Sequence, residues 1–66
     1  MNKNELRSIM AKFGDNNQTL AEALRISPQA ISCKINNKRK FTYDEINGII
    51  ERYSLNGDDV LRIFFA

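Results

Sequence analysis

Residues 17–36 read NQTLAEALRISPQAISCKIN, and the fold is decided there. Apolar residues recur at helical spacing on both sides of a short break. Leu20, Ala21 and Leu24 form the inner face of a first helix, for which Asn16 is the expected N-cap. The chain then turns through Arg25 and Ile26. Ser27-Pro28 opens a second helix. A Ser oxygen accepts from the free N–H groups of a first turn, and Pro suits the first helical position because its missing N–H would have no partner there. Ile31 and Ile35, four apart, mark the buried side. Asn36-Asn37 ends the helix, because Asn tolerates the left-handed conformation better than most residues with a Cβ.

Two short helices that cross steeply need a small residue at the crossing and a branched apolar residue pointing back at it. Ala21 and Ile31 meet those needs. The pattern is that of a helix-turn-helix unit, whose second helix enters the major groove of DNA. On that helix Pro28, Gln29, Ser32, Cys33 and Asn36 lie opposite Ile31 and Ile35. This outward face carries no acid, which favours an approach to phosphates.

The flanks are helical as well. Leu6, Ile9, Met10 and Phe13 share one face of a helix that Asn2 and Glu5 open as a capping box and Gly14 ends. Thr42 and Glu45 form a second capping box, with Phe41 stapled to Ile46. Ile46, Ile49, Ile50 and Tyr53 then line one face. Asn56 caps a last helix running to about Phe65. Tyr43 and Tyr53 sit beside apolar residues and read as core or boundary positions. No segment alternates with period two. The expected fold is all-α, with five short helices in a single domain over residues 1–66 and the helix-turn-helix unit at helices 2 and 3.

Charge is uneven although the net charge is only +2. Residues 1–24 sum to zero. Residues 25–40 carry Arg25, Lys34, Lys38, Arg39 and Lys40 with no acid, and residues 41–66 sum to −3. A basic patch confined to one short segment is the footprint expected for a polyanion partner, although a solvated face would give the same run. With 66 residues and a single cysteine, no internal disulfide can staple the domain. It depends on an efficient helical core, on a partner subunit, or on both. No apolar run approaches the roughly 20 residues that span a bilayer, and the first residues lack the apolar stretch of a signal peptide. A cytoplasmic protein without membrane contact is expected. The chain has no His, which excludes His-based acid–base pairs, and one Cys without His cannot make the common zinc sites. No enzyme activity, metal, cofactor or small-molecule ligand is expected, and a sensor role for the Cys33 thiol has no support in sequence.

The run Leu20-Ala21-Glu22-Ala23-Leu24, then Ile26-Ser27, Ala30-Ile31-Ser32, Ile35-Asn36 and Lys38, resembles the lambda-repressor-like helix-turn-helix family, which includes small phage Cro-type and repressor proteins. The likeness covers nearly the whole chain. It departs from the family pattern at Arg25 and Asn37, where Gly is usual, and at Lys34, where a large apolar side chain is usual. The Lys34 stem would lie on the core while its ammonium reaches a phosphate. The resemblance implies base-edge contacts from Ser27, Pro28, Gln29, Ser32 and Cys33. Gln29 is the foremost reader, since its amide matches adenine N7 and N6 together. Phosphate contacts are expected from Asn16 and Asn17 at the second helix N-terminus, from Lys34, and from Asn36, Lys38, Arg39 and Lys40.

The expected function is a sequence-specific double-stranded DNA-binding regulator, a Cro-like repressor of phage or prophage origin acting on a palindromic operator. The competing reading is an interaction module that uses the same fold to bind another regulator or a replication protein. Val60-Leu61-Arg62-Ile63-Phe64-Phe65 is apolar at five of six positions. Val60, Ile63 and Phe64 make one stripe and Leu61 with Phe65 another, more than one core-facing helix needs. A homodimer through Leu61, Phe64 and Phe65 is expected, with Phe65 as anchor and Phe64 shared with the monomer core.

Overall fold

A computed structural model of the chain describes residues 1–65, which hold five helices: α1 Lys3–Lys12, α2 Asn17–Leu24, α3 Pro28–Ile35, α4 Tyr43–Tyr53 and α5 Gly57–Phe64. No strand occurs among the described residues. Each helix starts on a side-chain cap. Asn2, Asn16, Ser27, Thr42 and Asn56 each accept from the backbone N–H three residues on, which satisfies one of the donors a helix start leaves open. Full capping boxes form at Asn16/Thr19, Thr42/Glu45 and Asn56/Asp59. The box expected at Asn2 and Glu5 is only half made. The Asn2 N–H donates instead to the Ile63 carbonyl at 2.7 Å, and the Glu5 carboxylate pairs with Arg62 at 3.2 Å. The chain start is thereby tied to the end of α5.

The first four helices end alike. Gly14, Arg25, Asn37 and Ser54 have φ of 76°, 59°, 62° and 52°. The residue after each donates to the carbonyl five back: Asp15 to Met10, Ile26 to Ala21, Lys38 to Cys33 and Leu55 to Ile50. This is the Schellman closure. Ile26 and Leu55, the apolar residues that follow two of these turns, pack against the core. Only the first turn uses Gly, so Arg25 holds a left-handed backbone at a steric cost of about 1 kcal/mol.

The core is Leu6, Met10, Leu20, Ala21, Ile31, Ile35, Ile49, Tyr53 and Ile63, drawn from all five helices. The most extensive helix contact is between α2 and α3, where Ala21 and Ile31 are both fully buried. Helix α4 comes so close to α2 that a Cβ on Gly48 would lie 2.8 Å from a Leu24 methyl group. Two aromatic expectations change. Phe13 lies half in solvent with its ring against Tyr53, 5.0 Å between centroids. Tyr43 is 78% exposed, because the first position of α4 points away from the face that carries Ile49 and Tyr53.

Asp15 is the main polar junction. Its carboxylate accepts two 2.7 Å hydrogen bonds from the Arg52 guanidinium, one of 2.6 Å from the Tyr53 hydroxyl and one of 2.9 Å from the Thr19 hydroxyl. These bonds fix the α1–α2 turn and the first turn of α2 onto the end of α4. The Arg52 hydrogen bonds, with those of Tyr53 and Thr19, hold the Asp15 carboxyl well below the usual carboxylate range against the opposing effect of burial. Burial pushes the Tyr53 hydroxyl up, and its bond to the Asp15 carboxylate adds to the shift.

Candidate nucleic-acid interface

Three residues, Arg25 to Ser27, separate α2 from α3, and the left-handed Arg25 turns the chain between them. Ser27 caps α3 through its Oγ, which accepts from the Ala30 N–H at 3.1 Å. The Ser27 O–H remains able to donate. Ser27, Pro28 and Gln29 are exposed, while Ser32 and Cys33 further along are half-buried. The first turn of α3 is thus the part most open to a partner. No acid occurs from residue 23 to residue 43.

The start of α2 shares this surface. An open groove of about 530 Å³ is lined by Asn16, Asn17, Gln18 and Pro28, and by Arg7 of α1. The Asn16 side-chain oxygen is taken by the Thr19 N–H, and the Asn16 N–H by the Thr19 hydroxyl. What α2 offers an anion is therefore the free N–H groups of its first turn, at Asn17 and Gln18, and the amide N–H groups of Asn16. Asp15 also lines the groove, but its charge is met by Arg52. Arg7 is a cation that reading by segment missed, because residues 1–24 sum to zero. Its exposed place on α1 was the available signal.

Asn36, Lys38, Arg39 and Lys40 are all exposed in the connection after α3. The Lys38 and Arg39 N–H groups both donate to the Cys33 carbonyl, at 2.9 and 3.3 Å, which holds this basic segment against the end of α3. Lys34 behaves differently from expectation. It is 5% exposed, and its ammonium pairs with Glu45 at 2.5 Å. The stem lies on the core as expected, but the ammonium is turned into the α3–α4 contact and away from any phosphate. A cation at an apolar position must be neutralised when it is buried, and the nearest carboxylate is that of the α4 capping box. Burial alone would raise the Glu45 carboxyl, but hydrogen bonds from Lys34 and from the Thr42 backbone outweigh it and lower the pKa. Lys34 therefore leaves the phosphate-contact set.

The chain matches no protein-family model, no curated protein and no solved structure.

The C-terminal residues separate into two groups. Phe64 packs edge-on against Phe41, 6.2 Å between ring centroids, and is part of the monomer core rather than a free interface residue. Leu61 and Phe65 stand 60% and 71% exposed on the adjoining stripe. No helix among the described residues is long and apolar enough to cross a membrane.

Proposed function

We propose that the chain is a helix-turn-helix regulator of the lambda-repressor-like kind, a Cro-type repressor of phage or prophage origin that binds double-stranded DNA in a sequence-specific way. One observation carries this reading. The exposed first turn of α3 and the free start of α2 border one groove whose single acid, Asp15, is paired with Arg52, and the basic segment Lys38–Lys40 is held at the far end of α3. A helix offered to the major groove needs that arrangement: readers at its start, and phosphate contacts on both sides to set its position.

In this reading Gln29 reads a base pair, aided by Ser27 and Pro28. Ser32 and Cys33 contribute apolar or weakly polar contacts from a half-buried position. The start of α2, with Arg7, takes one phosphate strand, and Asn36, Lys38, Arg39 and Lys40 take the other. A homodimer through Leu61 and Phe65 presents two such helices to a palindromic operator. The exposed Leu61–Phe65 stripe also supports the second reading, an interaction module that binds another regulator.

The salt dependence of duplex affinity separates the two. Phosphate neutralisation releases counterions, so log K falls linearly with log salt at a slope of about −0.9 per phosphate contacted. A slope of several units is expected. A flat dependence, or no duplex binding at low salt, removes the DNA reading.

A further inference from the structure

A pocket of about 340 Å³ lies where the end of α3, the start of α4 and the end of α5 meet, away from the first turn of α3. The half-buried Phe41, Ile46 and Phe64 form most of its apolar lining, to which Met1 and the exposed Phe65 also contribute. The Phe41 ring is fixed from two sides, by the edge contact with Phe64 and by the Lys34 ammonium 6.0 Å from its centroid. Every charged side chain lining the pocket is a cation: Lys34, Arg39 and Lys40. Lys34 is neutralised by Glu45, whereas Arg39 and Lys40 are exposed and pair with no carboxylate among the described residues. An apolar cavity with a few convergent polar groups, within the size range of small-molecule sites, has the make-up of a ligand pocket. Its charge sets the class of ligand.

We propose that this pocket binds a small apolar carboxylate, a medium-chain or aryl acid, with its hydrocarbon part on Phe41, Ile46 and Phe64 and its carboxylate on Arg39 and Lys40. A cation would meet two like charges at the mouth. A neutral molecule would leave both cations without a counter-ion. The site stands independently of the DNA reading. Its consequence for DNA binding rests on that reading: the ligand would occupy two cations assigned to phosphate, so acid and duplex would each weaken the other by the same factor.

Titration of the isotope-labelled chain with octanoate, with octanol as the neutral comparison and no DNA present, tests the site by amide resonances. Octanoate is expected to give saturable shifts centred on Phe41, Ile46 and Phe64. The Arg39→Ala/Lys40→Ala double variant, which alters only exposed side chains, should bind it roughly three- to tenfold more weakly. Octanol should bind more weakly than octanoate and respond little to the double variant. The proposal is overturned by absence of saturable shifts, by equal binding of octanol and octanoate, or by octanoate binding that ignores the double variant. Protein concentration is held constant through the titration, so that association of two copies through Phe65, which also lines the pocket, adds no shift of its own.

Discussion

At the scale of single residues, one side chain is assigned to reading sequence and two to holding its platform. Gln29→Ala is expected to lose about 1–3 kcal/mol of discrimination at one base pair while non-specific affinity barely changes. Base preferences measured across the site check this, and an unchanged preference at every position would remove Gln29 as a reader. Arg25 holds φ 59° at the turn before α3. Arg25→Gly should therefore raise thermal stability, by a fraction of a kcal/mol to about 1 kcal/mol, as relief of the left-handed strain outweighs the added entropy of the unfolded chain. A lower melting temperature would show that the arginine side chain makes a contact worth more than the strain. Asp15 sets an acid limit on the fold. A carboxyl with a depressed folded pKa contributes stability above its unfolded value of 3.8, and the contribution is lost as pH falls towards the folded value. Glu45, lowered from 4.5, acts in the same direction. Denaturation followed from pH 7 down to pH 2 should show stability falling below about pH 4.5. Asp15→Asn should be less stable at pH 7 and less pH-dependent, and an unchanged pH slope would contradict the role of Asp15. Caps such as Ser27 and Thr42 were legible in sequence because donor and acceptor lie within three residues. Asp15 and Lys34 were not, because their partners lie 37 and 11 residues away and only the packed helices bring them together.

At the scale of elements, periodicity placed all five helices, and Asn, Ser and Thr marked their starts. It did not reveal that four helix ends share one closure: Gly14 and Asn37 suit a left-handed backbone and Arg25 stands where the resemblance has Gly, but nothing in the sequence marks Ser54. It placed Tyr53 on the inner face of α4, where it is buried, but Tyr43, read as a core or boundary position, stands in solvent. The segment after α3 acts as a unit. Lys38→Ala and Arg39→Ala are each expected to weaken binding to all duplexes about equally and to reduce the salt slope by roughly one. Affinities measured at several salt concentrations for specific and random duplexes check this. A parent-like slope in either variant would exclude that residue from the phosphate contacts. The contrast with Gln29 matters, because helix and loop then divide the work between sequence and position.

At the scale of the whole molecule, a small core leaves one apolar stripe over. Ile63 is fully buried and Phe64 is packed on Phe41, while Leu61 and Phe65 remain in solvent. The sequence showed surplus apolar surface at this end, and the fold identifies which two residues carry it. Association through that stripe would be two-fold, with the same patch on both copies. Sedimentation should show a dimer at tens of micromolar on DNA, and Phe65→Ala should shift the population towards monomer without unfolding it. A parent that stays monomeric both free and on DNA would contradict the dimer. The central claim is that α3 reads duplex sequence, and selection of bound duplexes from a random pool tests it most directly. The expected result is enrichment of one inverted repeat, with half-sites about one helical turn apart and a base pair whose enrichment disappears in Gln29→Ala. Recovery of duplexes with no shared sequence, or of none above background at low salt, would contradict it.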